Sequence, residues 1–445
     1  MRIAIIGGGP IGMEAALYGV CAGYEVQLYE RGRLAENVRQ WGHIGLFTEW
    51  ARNRSPLAVR LLSEAGRELP DASATSSGDE LADYILQLAS LPQMRGRVAP
   101  QSEVISVTRE RCLKSDFAGD PRRAEFPFRI LLRGAYGEKV KHFDAVIDAT
   151  GVYATPNPMG NGGAPCVGET AVAGRIDYHL PDVAGRDRAR FANRHTTVIG
   201  SGHSAASTLR SVGDLFDDFP QTRVTWIVRR DVPGHGLPFT LVPNDSSPHR
   251  DALHRRANEL AQHPFVTFLP RTVVESVSYD RQFRLGIKNG DDETSTYFCD
   301  NIAAHTGFRP DRTLWSELQV EVHPATDGPR ALSSAILEQN RRSGTGLSTG
   351  YAEKMPDEKY NRITGENESA EADGCATDNA SQDRFLPVAG GPALLHTGEP
   401  NFYILGIKSY GRDAGFLMHN GFRQVRDAYK LISGDDGLDL YDGQL

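Results

Sequence analysis

Two short glycine-rich segments, each between an apolar strand and a helix, restrict the fold of this chain more than any other feature. The first follows Arg2–Ile6, which is rich in β-branched residues and indicates a buried parallel strand. Its glycines, Gly7, Gly9 and Gly12, have the spacing Gly-x-Gly-x-x-Gly. Gly7 allows a tight turn, Gly9 allows close approach of a pyrophosphate, and Gly12 allows the helix to pack on the sheet. The pattern predicts a βαβ unit that binds a dinucleotide.

The first unit continues with a second strand that ends at Glu30, 18 residues after Gly12. A carboxylate at this place can accept hydrogen bonds from ribose hydroxyls. The start of the helix offers free N–H groups and the positive end of its dipole to a pyrophosphate. We therefore count Pro10 and Ile11 in the turn, and Arg31 beside Glu30, among the candidate nucleotide contacts. The alternative is a glycine-rich loop that packs only on itself.

The same plan returns in the middle of the chain. The strand-like segment His195–Ile199 leads into a turn with Gly200, Gly202 and Ala205, and a helix follows. Alanine at the third position is an accepted variant of the glycine pattern. His203 and Ser204 lie inside this turn, and we expect them to flank a nicotinamide nucleotide.

The second strand of this later unit ends in two arginines, Arg229 and Arg230, where the first unit has an acid. An arginine at this place can pair with a 2′-phosphate, which favours NADPH over NADH, although NADH remains open. The alternative is a pair of solvated surface arginines.

Each unit is followed by a run that resembles a small β-meander and then by a strand that ends in Thr-Gly. The two strand ends are Thr150-Gly151 and Thr306-Gly307. The pattern predicts an α/β fold with two Rossmann-like domains, each with a small β-meander.

Residues 341–384 differ in composition from the rest, because Gly, Ser, Asn, Asp and Glu dominate them. A polar stretch of this length predicts a disordered insert or a functional lid, and we favour disorder. The apolar pattern then resumes, with a last strand over 401–406 and a closing helix from about Gly415 to Ile432.

Composition excludes several classes of function. Acidic residues number 57 and basic residues 49, so the net charge of −8 disfavours binding to nucleic acid or to an anionic membrane. No apolar run is long enough to predict a membrane span. The five cysteines are scattered, which argues against a disulfide framework, a zinc site and a Cys-x-x-Cys redox pair. No metal-ligand cluster stands out, and a cytoplasmic location is the default expectation.

The duplicated plan resembles the flavoproteins with two dinucleotide-binding domains, namely thioredoxin-reductase-like enzymes and flavin-containing monooxygenases. The resemblance implies FAD at the first unit, on Gly7, Gly9, Gly12 and Glu30, and NAD(P)H at the second. It also implies that Ala149-Thr150-Gly151 and His305–Asp311 are the two crossings between domains. We therefore expect a discontinuous FAD-binding domain over residues 1–155 and 316–445 and an NAD(P)H-binding domain over 156–315. It leaves a homodimer open.

The chain departs from both groups in its motifs. It lacks the cysteine pair of the disulfide reductases. Flavin-containing monooxygenases carry Phe-x-Gly-x-x-x-His between the units, whereas the nearest stretch here, residues 172–179, lacks the Phe and has its His shifted by one position.

The resemblance also points to residues near the flavin. In this superfamily the last helix directs its N-terminus at the flavin pyrimidine, where Lys408 or Arg412 can add positive charge. Gln424 matches an Arg-Gln pair near the flavin in thioredoxin-reductase-like enzymes. Trp41 lies where the superfamily wraps the isoalloxazine ring. The alternatives are a solvent-exposed loop for Lys408 and Arg412 and an ordinary core position for Trp41.

Together these features predict an FAD-dependent NADPH oxidoreductase that acts on a small molecule. We favour a monooxygenase that oxygenates a soft nucleophile or a ketone through a C4a-(hydro)peroxyflavin, because a cysteine relay is missing and the layout resembles that of monooxygenases. The alternatives are a reductase of a low-molecular-weight disulfide or quinone, and a nucleotide-binding redox sensor that does not turn over.

Overall fold

Two parallel sheets, each with its own antiparallel meander, form the framework of the protein. The computed structural model describes residues 1–232, 236–241, 247–342, 388 and 390–445. Its strands are β1 (Arg2–Ile6), β2 (Glu25–Tyr29), β3 (Gly45–Glu49), β4 (Thr75–Ser77), β5 (Val98–Ala99), β6 (Glu103–Arg109), β7 (Phe128–Gly134), β8 (Gly137–Phe143), β9 (Ala145–Asp148), β10 (His195–Ile199), β11 (Arg223–Ile227), β12 (Val266–Leu269), β13 (Val273–Tyr279), β14 (Phe283–Lys288), β15 (Thr294–Cys299), β16 (Asn301–Ala304) and β17 (Phe402–Ile404).

The helices of the described residues surround these sheets. They are α1 (Pro10–Cys21), α2 (Glu36–Gln40), α3 (Trp50–Asn53), α4 (Pro56–Glu64), α5 (Gly78–Ala89), α6 (Glu169–Val172), α7 (Arg188–Phe191), α8 (His203–Gly213), α9 (Pro248–Ala261), α10 (Arg330–Arg342) and α11 (Met418–Ser433). None of them, within the described part of the chain, has the length and apolar character needed to cross a membrane.

The first sheet has the order β17-β9-β1-β2-β5, and its neighbouring strands are parallel. The second has the order β12-β11-β10-β16, also parallel. Each is accompanied by a three-stranded antiparallel meander, β6-β7-β8 or β13-β14-β15. Both meanders carry an irregularity at the same place in their first strand, between Val104 and Ser106 and between Val274 and Ser276. These features confirm the predicted α/β fold with two Rossmann-like units.

The hydrophobic cores divide along the same line. Two clusters join β1, β2, β9 and their meander to residues from the C-terminal part, among them Trp315, Phe402 and Tyr429. Two other clusters consist of residues from 159 to 304, with Phe47 as a partly buried neighbour. Because Trp315 packs with the first unit, we propose that the return crossing ends before this residue; the exact domain boundaries stay a prediction.

Several predicted element ends are wrong by a few residues, for reasons of backbone geometry. The last strand is shorter than 401–406 because Asn401 and Gly406 have φ of 59° and 74°, outside the range of a strand. The closing helix begins at Met418, because the Asp413 carboxylate accepts the Gly415 N–H at 2.6 Å and holds the preceding loop. α10 extends to Arg342, so the first two residues of the predicted insert are helical. The rest of that segment, 343–384, lies outside the described residues.

Candidate functional site

The first glycine turn has the backbone geometry that its sequence predicts. Gly7 has φ of 108°, and a Cβ there would lie 2.6 Å from the Ala149 carbonyl oxygen. A Cβ on Gly12 would overlap the carbonyl oxygen of Gly7. Both positions therefore exclude every larger residue. Gly7 is required by its positive φ and by the nearby carbonyl oxygen, and Gly12 is required by the carbonyl oxygen alone.

Gly9 differs from its two neighbours, because a Cβ there would meet no protein atom within 4 Å. Its φ of −83° and ψ of −174° are open to any residue, so the turn itself does not require glycine. The free space lies at the N-terminus of α1, where Pro10 occupies the first turn and Ile11 is buried against the closing helix. An absent side chain at this place leaves room for a pyrophosphate beside unpaired N–H groups.

Glu30 follows β2 and closes the turn. Its Oε2 accepts the Gly8 N–H at 2.7 Å and its Oε1 accepts the Gly32 N–H at 2.8 Å. An ionised carboxylate has about four acceptor sites, so two remain for ribose hydroxyls. Arg31, next in the chain, is exposed.

The second turn repeats the first in detail. Gly200 has φ of 128°, and a Cβ on it would overlap the His305 carbonyl oxygen. In the same way, a Cβ on Gly7 would overlap the Ala149 carbonyl oxygen. Gly202 has no protein atom within 4 Å of an added Cβ, as at Gly9. Ala205 takes the third place and is fully buried in α8, next to Ser204. Burial lowers the pKa of His305 to about 4, so its ring is neutral behind this turn.

The two arginines lie beyond the end of β11, near the second turn. Arg230 is partly buried, and its Nη2 lies 3.5 Å from the Ser201 carbonyl oxygen in the turn. Arg229 is exposed. Both arginines have further interactions within the protein. Neither is therefore simply a solvated surface residue.

His203 is the first residue of α8, and its ring lies in an aromatic stack. It contacts His254 with centroids 5.2 Å apart and planes 3° from parallel, and Phe47 at 5.2 Å. Phe47 belongs to β3, so a residue of the first unit reaches the second turn. The sequence analysis did not identify Phe47 or His254, because no local pattern connects either one to this turn.

Lys408 is buried rather than exposed, so the solvent-loop alternative is wrong for it. Its Nζ donates to Asp148 Oδ2 at 2.7 Å and to Thr150 Oγ1 at 2.8 Å. Trp315 Nε1 donates to the same Asp148 oxygen at 2.9 Å, and Thr150 donates to the other through its N–H and hydroxyl. This network holds the end of β9 against the C-terminal part of the chain. Asp148 and Trp315 were not among the predicted site residues.

Arg412 and Trp41, the other two residues predicted near the flavin as candidates for a catalytic role, also have partners. Arg412 Nε donates to Asp327 Oδ2 at 2.6 Å, and its side chain is about one third exposed. Trp41 is partly buried against the first core, and a Cβ on Gly78 would lie 2.6 Å from its ring. These contacts match the packing alternative for Trp41.

Gln424 binds the loop after β17 with both ends of its amide. Its Oε1 accepts the Gly406 N–H at 2.8 Å, and its Nε2 donates to Ser409 Oγ at 2.8 Å. The residue therefore positions this loop through its side chain.

The crossings form a two-stranded connection between the units. Gly151 and Gly307 have φ of 68° and 82°, and Asn157 donates its N–H to the Gly307 carbonyl oxygen at 2.9 Å. Gly307 also lies next to the Asn157 amide, at 3.5 Å from an added Cβ.

The described residues fit two dinucleotides. Each turn has an empty cradle that a side chain would otherwise fill, at Gly9 and Gly202, in front of the N-terminus of a long helix. The first cradle has an acid beside it and the second has two arginines. This is the donor set that FAD and a nicotinamide nucleotide require.

Comparisons with known proteins agree with this geometry. The family model described as pyridine nucleotide-disulphide oxidoreductase matches residues 1–327. Bacillithiol disulfide reductase from Bacillus cereus is similar at 15% identity and a TM-score of 0.63, over 98% of this chain and 100% of that one. No curated protein sequence gives a significant match.

Two further solved structures are similar over nearly their whole length. Lactococcus lactis thioredoxin reductase is 17% identical, with a TM-score of 0.54 over 97% of this chain and 99% of that one. Kutzneria sp. 744 ornithine N-hydroxylase is 15% identical, with a TM-score of 0.54 over 97% and 98%. At these identities the similarity shows the fold. With the family match, it identifies the chain as a member of the pyridine nucleotide-disulphide oxidoreductase family, FAD- and NAD(P)H-dependent oxidoreductases with two dinucleotide-binding units.

Proposed function

We propose that this protein is an NADPH-dependent FAD oxidoreductase of the monooxygenase type that acts on a small molecule. The observation that carries this proposal is the placement of the cysteines. Enzymes that reduce disulfides through a thiol relay need a reactive thiolate at the flavin. None of the cysteines in the described residues has such a place.

Cys21 is the last residue of α1, and a helix of this length puts it roughly 16 Å along the axis from the glycine turn. Cys112 is buried at the meander, with Arg123 Nη1 3.5 Å from its sulfur. Cys166 and Cys299 lie in the core of the second unit, and burial raises their pKa to about 12 and about 11. These two thiols stay protonated at neutral pH and are poor nucleophiles. Cys375 lies outside the described residues.

The chain's own residues bind and orient the two cofactors. The α1 N-terminus with Gly9 would hold the FAD pyrophosphate, and Glu30 its ribose. The α8 N-terminus with Gly202 would hold the pyrophosphate of the nicotinamide nucleotide. When bound, this pair supplies hydride transfer from the nicotinamide to the flavin and electrons for an acceptor. With no thiol relay in the described residues, the acceptor is a small molecule or O2 that reaches the flavin directly.

The preference for NADPH rests on Arg229 and Arg230, because Arg229 is exposed at the end of β11 and Arg230 contacts the turn. We predict that replacing both with Ala raises the KM for NADPH by roughly tenfold or more and leaves the KM for NADH nearly unchanged, because only NADPH carries a 2′-phosphate. Steady-state kinetics with the two nucleotides provides the measurement. Equal effects on both would exclude recognition of the 2′-phosphate by these arginines.

One experiment tests the oxygenase assignment. The FAD-loaded protein is reduced with NADPH without oxygen, air is admitted, and flavin absorbance and hydrogen peroxide are followed together. Loss of the reduced-flavin spectrum well before the oxidised spectrum returns and peroxide is released supports a monooxygenase. Immediate reoxidation with stoichiometric peroxide contradicts it.

The second candidate is reduction of a low-molecular-weight disulfide or quinone. The family description and the full-length similarity to bacillithiol disulfide reductase favour it. Rapid NADPH oxidation without oxygen on addition of a small disulfide or a quinone would support this candidate over the first.

A further inference from the structure

We propose that a cavity beside the closing helix is a binding site for a small amphiphilic carboxylate, separate from the two dinucleotide turns. The cavity has a volume of about 310 Å³ and lies between α11, α10 and the segment 391–395. This volume is at the lower end of the range for small-molecule pockets. We call it the α11 cavity.

The polar side of the α11 cavity comes from one face of its helix. Asn420 and Arg423 are three residues apart, so their side chains are neighbours on the helix surface. Asn420 is only 5% exposed and its side chain lies next to the Tyr410 hydroxyl, yet neither atom of its amide makes a hydrogen bond of normal geometry among the described residues. Arg423 Nε is likewise buried without a hydrogen-bond partner there. Buried polar groups are nearly always paired, so we expect the Asn420 amide and the Arg423 Nε to hydrogen-bond to a ligand inside the cavity.

Within the wall, Arg423 is the group that favours an anion. Arg426 pairs with Asp427 at 2.9 Å and lies 3.7 Å from Asp439, so its single positive charge already faces two carboxylates. Arg423, by contrast, forms no ion pair with a carboxylate in the part of the chain that the structure describes, and it lines the α11 cavity. Burial raises the pKa of Tyr410 to about 12, so its hydroxyl stays protonated at the same wall.

The opposite wall is apolar, with Leu332, Val388, Leu394 and Leu395. A ligand that matches both walls has a hydrocarbon body and one anionic head. A carboxylate fits the planar guanidinium of Arg423, which can donate two parallel hydrogen bonds, and it accepts a third from the Asn420 amide.

The α11 cavity and the first glycine turn lie on different faces of α11. Gly421 faces the turn, because a Cβ on it would collide with the Ile11 side chain. The Gln424 amide, held by Gly406 and Ser409, stands between the cavity and the loop after β17. A ligand in the cavity therefore does not need the space at Gly9.

Calorimetric titration of the FAD-loaded protein with hexanoate tests this proposal, with hexanamide and hexylammonium as probes of the same length. We expect one saturable site for hexanoate and at least tenfold weaker binding of the other two. Arg423→Gln should weaken hexanoate binding at least tenfold. Arg133→Gln, which removes an exposed arginine on β7, should leave it unchanged.

Asn420→Leu is a second test in case Arg423→Gln does not fold. Replacing an amide without a normal hydrogen bond by an apolar residue costs little stability. It should keep the unfolding midpoint of the wild type and still bind hexanoate less tightly. No saturable heat with hexanoate, equal affinity for the three probes, or equal effects of Arg423→Gln and Arg133→Gln would overturn the proposal. None of these readouts uses NADPH or oxygen, so they are independent of the oxygenase assignment.

Discussion

Individual side chains in this protein are constrained mainly by burial of charge. Lys408 and Asp148 form an ion pair in which both side chains are essentially inaccessible. Glu14 is also buried, in α1 directly after the glycine turn, and its Oε1 accepts the Tyr441 hydroxyl at 2.9 Å. Each case gives a stability effect that sequence spacing does not indicate.

The Lys408–Asp148 pair gives the first prediction at this scale. Lys408→Met leaves a buried carboxylate without its cation, so we expect a loss of about 3 kcal/mol in the free energy of unfolding. The double variant Lys408→Met/Asp148→Asn removes both charges and should recover much of that loss. Urea unfolding of the wild type, the single variant and the double variant measures these free energies. If Lys408→Met unfolds like the wild type, the pair does not hold β9 to the C-terminal part.

Glu14 gives a pH-dependent prediction. Burial raises its pKa from 4.5 to about 7, against the opposing effect of hydrogen bonds from Ser55 and Tyr441. Between these pH values the folded state binds more protons than the unfolded chain, so this group's contribution to stability falls as the pH rises from 4.5 to 7. Glu14→Gln should gain about 3 kcal/mol over the wild type at pH 8 and nothing at pH 4.5.

The control for this prediction is Glu64→Gln, an exposed position on α4. Because this side chain is exposed, its replacement should change the unfolding midpoint little. Unfolding midpoints measured from pH 4.5 to 8 give both differences. A Glu14→Gln difference that stays constant over this range would contradict the raised pKa of Glu14 in the folded protein.

At the scale of elements, the two strand–turn–helix units use glycine for two different purposes. Gly7 and Gly200 are required by the fold, since their φ is positive and a carbonyl oxygen lies against them. Gly9 and Gly202 have ordinary extended backbone and free space. Stability and binding can therefore be separated by substitution.

We predict that Gly9→Ala and Gly202→Ala both fold and that each weakens the binding of one cofactor. Gly9→Ala should be purified with little flavin, because the added methyl group occupies the place of the FAD pyrophosphate. Gly202→Ala should retain flavin and show a KM for NADPH raised by roughly tenfold. Flavin absorbance per protein and steady-state kinetics measure the two effects. Full flavin content in Gly9→Ala would refute the assignment of the first cradle.

At the scale of the whole molecule, the chain builds its first unit from both ends. β17 pairs with β9, and Tyr429 of α11 donates its hydroxyl to the Ala15 carbonyl oxygen at 2.8 Å. The second sheet, by contrast, takes all four strands from residues 195–304. The two units should therefore differ in their ability to fold alone.

We predict that a fragment of residues 154–312 unfolds cooperatively in urea, because its sheet, meander and two core clusters are complete except for Phe47. A fragment of residues 1–155 should show no cooperative transition, because it lacks β17 and α11. Circular dichroism during urea titration compares them. A cooperative transition in the fragment of residues 1–155 would contradict a first unit that is built from two separate parts of the chain.

The sequence by itself determined both glycine turns, the strands and helices around them, and the acid and arginines at the strand ends. These features depend on neighbours within about 30 residues, where backbone conformation and strand alternation act directly. The return of the chain to the first unit was predicted as well, through the resemblance of the two Thr-Gly strand ends to the crossings of the two-domain flavoproteins.

Only the tertiary structure decided what the isolated charged and aromatic residues do. Lys408 meets Asp148 across 260 positions of sequence, Trp315 reaches the same carboxylate, and Phe47 of one unit contacts His203 of the other. Local patterns carry no information on such pairs, because burial and partner choice depend on how whole sheets and helices pack. The same reason explains why the sequence left a solvent-exposed loop open for Lys408, whose side chain is buried.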